Sequence, residues 1–487
     1  MRFLFVLILV LQTVIFCQDE NIIAQINDRV ITKEDFILRS EYTIRPAYCK
    51  SNNQIHKKII LNSLIAEKLM ALEVEPYIST ENFSDNFLTG IKEQYMRDYL
   101  LKDKVYSKIE IDSEINKQYL KNSTRTYTIN FLAIASLPVA NSIDMLISQG
   151  IEFETICFDY LNLAEVPQME MNFFYEKDPA IHEAIFLNTL FADEVLGPIV
   201  TKDNKRLFVK IESFKDNPLI TSEEITNHTN LVNQRLYELS QIKEYDDYIR
   251  EIMKGSNVVF NNEVFVKLAS EAYDFYIDRN NLVNEQVLST SLVFSDQDSI
   301  NYYDEAFVLN GNSYNVSYLD ELISKHPLVF RNQKISRRDF GLQFKYALVD
   351  LIRDEKLNEI GYNENYDSNK DVIKDYQIFS DATISRLHLE ALFRSNNISL
   401  NQFNQNPELV IDNFLNEYID SLQIIYSDSI KINFDLFDKI ELTNIDLYAY
   451  KKGVPYPMVV PLFPILTNKN DIDYGKEFNF YMELIRN

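Results

Sequence analysis

Tryptophan is absent from these 487 residues, and cysteine, histidine and glycine are scarce, at three, five and nine. Each shortage removes a class of answer. Nine glycines cannot supply the turns of a large all-β fold, so helices are expected to dominate. His56, His182, His228, His326 and His388 are scattered without metal-ligand spacing, and no CxxC pair occurs, so metal and thiol-redox chemistry have no foothold and no cofactor is expected. Basic residues are also short. Forty-eight of them face 73 acidic ones, and a net charge of −25 repels phosphate backbones, which argues against nucleic acid as a partner. What remains is ample core material: 46% of residues are hydrophobic, with 30 tyrosines and 32 phenylalanines to fill the space tryptophan leaves. At about 150 residues per domain the length suggests three units.

Long apolar runs are lacking too, with one exception. Phe3 to Phe16 follow the cationic Arg2 and fall short of the roughly 20 residues a membrane span needs. The run reads as the core of an export signal over residues 1–17, cut after Cys17, which places the mature chain in the periplasm or another extracytoplasmic compartment, soluble and without a transmembrane span. A rival reading makes Cys17 the lipid-bearing first residue of a lipoprotein, although Phe16 is bulky for that signal. Cys49 and Cys157 then remain in an oxidising compartment. A disulfide and two separate buried thiols are both open.

After the signal, Ile22 to Thr32 reads as two short apolar arms about an Asn-Asp turn, with Thr32 placed to cap a helix from Lys33. Ile60, Leu61, Leu64, Ile65, Leu69 and Leu72 recur at three- and four-residue spacing, an amphipathic stripe over His56 to Glu73. Helical pattern continues over Glu81 to Lys108, and Asp112 or Ser113 caps another helix that ends near Tyr119. Thr126 to Ser136 alternates like a strand. A helix over Ser142 to Gln149 closes on Gly150-Ile151-Glu152-Phe153, and the segments Ile181 to Phe186, Val195 to Thr201 and Leu207 to Ile211 come after it.

The opening hairpin, the run Leu61, Leu64, Ile65, Glu67, Lys68, Leu69, and the later Ile111 to Tyr119 together resemble the helical chaperone domain of SurA-type periplasmic foldases. The stretch from Thr126 to Ile211 is similar to a parvulin-like (PpiC) peptidyl-prolyl isomerase domain. Gly150 to Phe153 matches its "G-x-x-F", Ile181 to Phe186 its "F-x-x-A-x-F", Leu196 to Thr201 its "S-G-P-V-x-T", and Leu207 to Ile211 its "H-x-I-K-V". The resemblance implies a mostly α fold with an embedded α+β parvulin-like domain. It also implies unfolded or nascent exported polypeptides as partners, outer-membrane proteins among them. Isomerisation of an X-Pro bond faces a barrier of roughly 18–20 kcal/mol and needs a pocket that grips proline and stabilises a twisted amide. The family's two pocket histidines fall on Asn130 and Leu207, both substituted, and no glycine pair stands near Gln168 to Met171. The substrate-binding positions fall on Ile181, Ala184 and Phe186. Isomerase activity is therefore expected to be weak or lost, with an active isomerase and a non-catalytic structural or adaptor protein of the envelope as the alternatives. His182 is expected at the surface, and Cys157 as a core thiol.

The second half echoes the first. Val308 to Val316 again sets apolar arms about a turn, here Asn-Gly, and Leu351 to Leu357 resembles Leu64 to Leu69. Asn261, Phe265, Lys267 and Leu268 share their offsets with Asn433, Phe437, Lys439 and Ile440, each set after a Tyr-Ile pair. Duplication of the helical module is expected. The expected division is an N-terminal helical module over 18–122, a parvulin-like domain over 123–215, a closing helical module over 216–300 and a second SurA-like module over 301–487. The proline run Gly453 to Pro464 is expected to be a rigid loop tying the C-terminal strand to the core; the other reading is an extended strand in a client groove.

Overall fold

A computed structural model describes residues 21–74, 82–201, 204–278, 300–330, 335–443, 460–473 and 476–477; the export signal expected over 1–17, with Cys17, and residues 453–459 of the proline run lie outside them. Among the described residues the protein is mostly helical, with small and largely antiparallel sheets, and no helix is long and apolar enough to cross a membrane. The chain opens with β1 (Ile22–Ile26), β2 (Arg29–Thr32), α1 (Lys33–Glu41), α2 (Gln54–Val74), α3 (Asn82–Lys104) and α4 (Ser113–Asn122). Next come β3 (Arg125–Ile134), α5 (Leu137–Ser148), α6 (Phe153–Thr155), β4 (Gln168–Asn172), α7 (Pro179–Phe186), β5 (Val195–Val200), β6 (Arg206–Asp216) and α8 (Ser222–Ile252). After these stand β7 (Val258–Phe260), α9 (Asn262–Tyr273), β8 (Glu305–Leu309), β9 (Asn312–Asn315), α10 (Val316–Lys325) and α11 (Arg337–Asn363). The last elements are α12 (Lys370–Ser395), α13 (Leu400–Gln405), α14 (Pro407–Val410), α15 (Asn416–Ile425), β10 (Ile430–Ile432), α16 (Phe434–Asp438) and β11 (Lys476–Glu477).

Two compact units result, and they differ from the expected division. Residues 98–256 form an inserted unit, while the chain before it and the chain after it share the other, the main unit. The inserted unit exceeds 123–215 at both ends because Tyr119 of α4 and Val232 and Leu236 of α8 belong to its core. Residues of the expected first module instead share a core with Leu389, Phe393, Ile419, Ile430 and Phe437. Pairing between strands 400 residues apart leaves no local trace in sequence.

In the main unit, Thr32 accepts the N–H of Asp35 at 3.1 Å and Asp35 returns a bond to the Thr32 N–H, a capping box that fixes the start of α1. Thr32→Ala is expected to cost about 1 kcal/mol in chemical denaturation, the worth of one helix cap, and a loss under a few tenths would show the box to be idle. α2 departs from its expected single stripe. Residues 59–71 are all buried, because α12, α15 and the irregular segment 460–473 close over the polar side as well. Each polar group there has a partner. Asn62 donates to the Lys469 carbonyl at 2.9 Å and accepts from Gln423 at 2.7 Å, and Ser63 donates to the Thr467 carbonyl at 3.2 Å. Glu67 takes a two-pronged pair from Arg39 at 2.9 and 2.7 Å. Lys68 reaches Asp381 of α12 at 2.7 Å.

Two strand trios share one local geometry. Asn27 and Asn310, both at φ 53°, open the two hairpin turns. Counting back from them, Ile26, Gln25 and Ala24 face Ile430, Lys431 and Ile432, as Leu309, Val308 and Phe307 face Val258, Val259 and Phe260. Asn433 then caps α16 by accepting from Leu436 at 3.0 Å, and Asn261 caps α9 by accepting from Glu263 at 3.1 Å. The offset match read from sequence thus falls on a strand followed by a capped helix in both places. One sheet runs β11-β10-β1-β2, the other β7-β8-β9.

Candidate functional site

The inserted unit carries the residues singled out from sequence. Its sheet runs β4-β3-β6-β5, all antiparallel, and its two faces bury different cores. Tyr127, Ile129, Val209 and Ile211 face α7 together with Phe173 and Phe186, whereas Leu132 and Phe208 face Ala140, Ile143, Phe153 and Cys157 on the other side. Pairing of β3 with β6 sets Asn130 opposite Lys210 and Leu207 opposite Ala133. Asn130 and Leu207 are therefore on opposite faces of the sheet, because positions an odd number of residues apart in register alternate sides. The substituted histidine positions do not form one pocket.

Leu207 and Phe186, 6% and 0% exposed, with the half-buried Ile181, pack into the aromatic core beneath α7. Ala184 sits half-buried on the same helix. These side chains fill space rather than line it. Neither of two open surface depressions includes any of them: one of about 290 Å³ lies around Lys33 and Tyr42, the other, of about 370 Å³, around Tyr303 and Tyr318.

Asn130 heads a polar cluster on the other face. Its amide donates to Glu212 Oε2 at 3.0 Å and its carbonyl accepts from Gln168 at 3.1 Å. Glu212 falls where the β3–β6 register slips, between Ile211 and Ser213. Lys210, beside Asn130, bonds Glu154 at 2.7 Å and Asp193 at 3.4 Å. Burial is the largest single influence and disfavours the Glu154 carboxylate, but the Lys210 hydrogen bond and charge, a backbone N–H and the Asn130 amide together outweigh it and hold the carboxyl below its usual range. Glu154 in turn raises the Lys210 ammonium above its ordinary value. The cluster is a saturated ion-pair and amide network with no imidazole in it.

His182 reverses its expectation. It is 1% exposed, its ring centroid 4.5 Å from that of Phe173, met edge-on, and 5.1 Å from that of the tilted Phe186, with Nε2 on the Phe173 carbonyl at 3.1 Å. The cause is helical spacing: 182, 185 and 186 share the face of α7 turned to the sheet. Burial first and the Arg235 charge second push its pKa down to about 4. His228 accepts or donates at 2.6 Å with Ser123 and meets Phe174 edge-on. Cys49 and Cys157 are both buried thiols that form no disulfide, one in each unit. Burial first, then Glu154, raises the Cys157 thiol.

Sequence reading missed a buried cluster in the main unit. His326 Nε2 lies 2.6 Å from Glu93 Oε2, Asn358 donates to the same oxygen at 3.0 Å, Tyr362 donates to Oε1 at 3.1 Å, and Arg97 donates to Asn358 at 2.7 Å. It pins α3 to α10 and α11. Its only sequence signal is Glu93 and Arg97 four apart on one helix, which any solvated helix also shows. Among the described residues no group of histidine, cysteine and carboxylate side chains could hold a metal.

Against known proteins, no protein-family model matches the chain, and neither a curated protein nor a solved structure matches it significantly.

Proposed function

We propose that this chain is an extracytoplasmic folding factor that holds unfolded exported polypeptides, on a parvulin-like framework whose isomerase activity is weak or lost. The observation that carries the reading is the inserted unit's order of strand, helix pair, strand, helix and two strands, the order in which the parvulin-like motifs run in the sequence. Packing of Ile181, Phe186 and Leu207 into the core beneath α7, and engagement of Asn130 by Glu212 and Gln168, support loss of catalysis: the side chains at these positions are already committed to one another. The net charge of −25 keeps a holder of sticky chains dispersed and draws basic client segments. The matching geometry of the two strand trios supports a duplicated helical module around that framework.

The test is one purified chain in two assays. Aggregation of a chemically unfolded client is expected to be suppressed near equimolar ratio, while a proline peptide keeps its uncatalysed exchange time of tens to hundreds of seconds. Acceleration of that exchange by tenfold or more at micromolar protein would make the chain an active isomerase. Failure to suppress aggregation of any unfolded client would make it a structural or adaptor protein instead.

A further inference from the structure

The buried Glu93 carboxylate ties three helices together. It accepts from His326 at the end of α10 and from Asn358 and Tyr362 of α11, while Arg97, one turn further along α3, donates to Asn358. Little else is seen to hold α3 to these two helices. Among the described residues, α3 contributes to neither of the two large cores of the main unit. Its remaining contacts there include Asn86 donating to Ser324 at 2.7 Å and Met96 lying against Gly361.

The position of the proton follows from the acceptor. Glu93 is ionised, so the 2.6 Å contact places a hydrogen on His326 Nε2, and in the neutral ring Nδ1 carries a lone pair. Nδ1 is buried and has no hydrogen-bond partner among the described residues. A lone pair is tolerated in that position, whereas an N–H there is a buried donor with nothing to receive it. A second proton also sets a cation 3.4 Å from the Arg97 guanidinium.

Charged groups reach the cluster from every helix packed on it. Burial first and Arg97 second hold the imidazole below its ordinary 6.5, against the Glu93 bond and charge and Asp354 of α11. Burial is also the largest influence on Glu93 and raises it, but His326, Lys325 of α10 and Arg97 outweigh it and hold the carboxyl below its ordinary 4.5. Glu355 of α11 runs the other way, raised by burial first and then by Glu93 and Glu359, with Asn358 and Lys325 opposing. Lys325 is raised, its burial outweighed by Glu321 and other carboxylates, and stays charged through the acid range.

We propose that the clamp of α3 on α10 and α11 is an acid-operated switch: a second proton on His326 breaks it and frees α3 while the two large cores of the main unit stay folded. Opening uncovers Met96, which is buried in the closed form. The sign is fixed by linkage. With its folded value below 6.5, His326 binds a proton in the open form that the closed form excludes, so closure weakens as pH falls from about 6.5. Glu93 adds to the loss below about 4.5, and Glu355 offsets part of it.

Hydrogen–deuterium exchange of the full chain at pH 7 and pH 5, corrected for the intrinsic pH dependence of amide exchange, tests the switch. Peptides from residues 87–97 and 316–326 are expected to open roughly tenfold more at pH 5, within the ceiling of about thirtyfold that a group of ordinary pKa 6.5 allows. Peptides from residues 59–71 of α2 are expected to change less than twofold. His326→Gln keeps an N–H for Glu93 and cannot titrate, and its α3 peptides are expected to change less than threefold. No rise in the wild-type α3 peptides, or an equal rise in α2, overturns the switch without reference to any variant's folding. The same rise in His326→Gln as in wild type takes the role from His326 and overturns it too.

Discussion

Asp381→Ala is expected to destabilise the main unit by about 3–5 kcal/mol, because it takes the buried Lys68 ammonium's carboxylate away and leaves the buried Arg29 with the exposed Asp28 alone. Asp381 is fully buried and takes Arg29 Nε at 3.0 Å, Lys68 Nζ at 2.7 Å and Gln377 Nε2 at 2.8 Å. Arg29 and Lys68 are only 7% and 6% exposed, so neither can turn to water when the carboxylate goes. The three residues come from β2, α2 and α12, which makes the carboxylate the joint between the start and end of the chain. Asp28→Ala is the internal comparison. Asp28 also pairs with Arg29, at 2.7 Å, but is 70% exposed, and its loss should cost less than about 1 kcal/mol. The measurement is urea denaturation followed by tyrosine fluorescence, with the two units' transitions fitted separately. Equal effects for the two aspartates would mean that burial is not what gives Asp381 its weight.

His182 is expected to make the inserted unit acid-labile in a particular window. Its folded pKa of about 4 lies below the ordinary 6.5, so the folded state excludes a proton that the unfolded chain binds. Its contribution is complete above about pH 6.5 and is lost as pH falls from there toward 4, where the folded group at last titrates. The gap corresponds to about 3 kcal/mol across the window. Desolvation is the main cause, with Arg235 adding to it and the Phe173 carbonyl opposing. His182→Gln keeps a donor for that carbonyl and cannot titrate. Stability of the variant's inserted unit should fall distinctly less than the wild type's between pH 6.5 and 4. A wild-type curve flat through that interval, or identical slopes in the two proteins, would sink the prediction.

Much of the local structure was legible. The Asn27 and Asn310 turns, the Thr32 cap, the Asp112 cap and the helices around Leu64 and Leu351 stand where periodicity and turn chemistry put them, since those signals act over a few residues. The candidate site was legible only residue by residue. Asn130 and Leu207 could each be named, but their relation depends on the register of β3 on β6, and a slip of one residue exchanges the faces. His182 looked superficial because a lone histidine on a short helix carries no mark of which side meets a sheet.

The sequence by itself determined the element types, the caps and turns, the acidic surface and the offset match between Asn261 and Asn433. Only the tertiary structure decided that β10 closes on β1, that α2 is covered on its polar side, that Asp381 joins β2, α2 and α12, and that β7 ends its sheet among the described residues. The reason is range. Caps and periodicity are set by residues three or four apart, whereas a buried ion pair or a strand edge depends on which distant segment arrives to cover it, and that choice belongs to the packing of the whole unit.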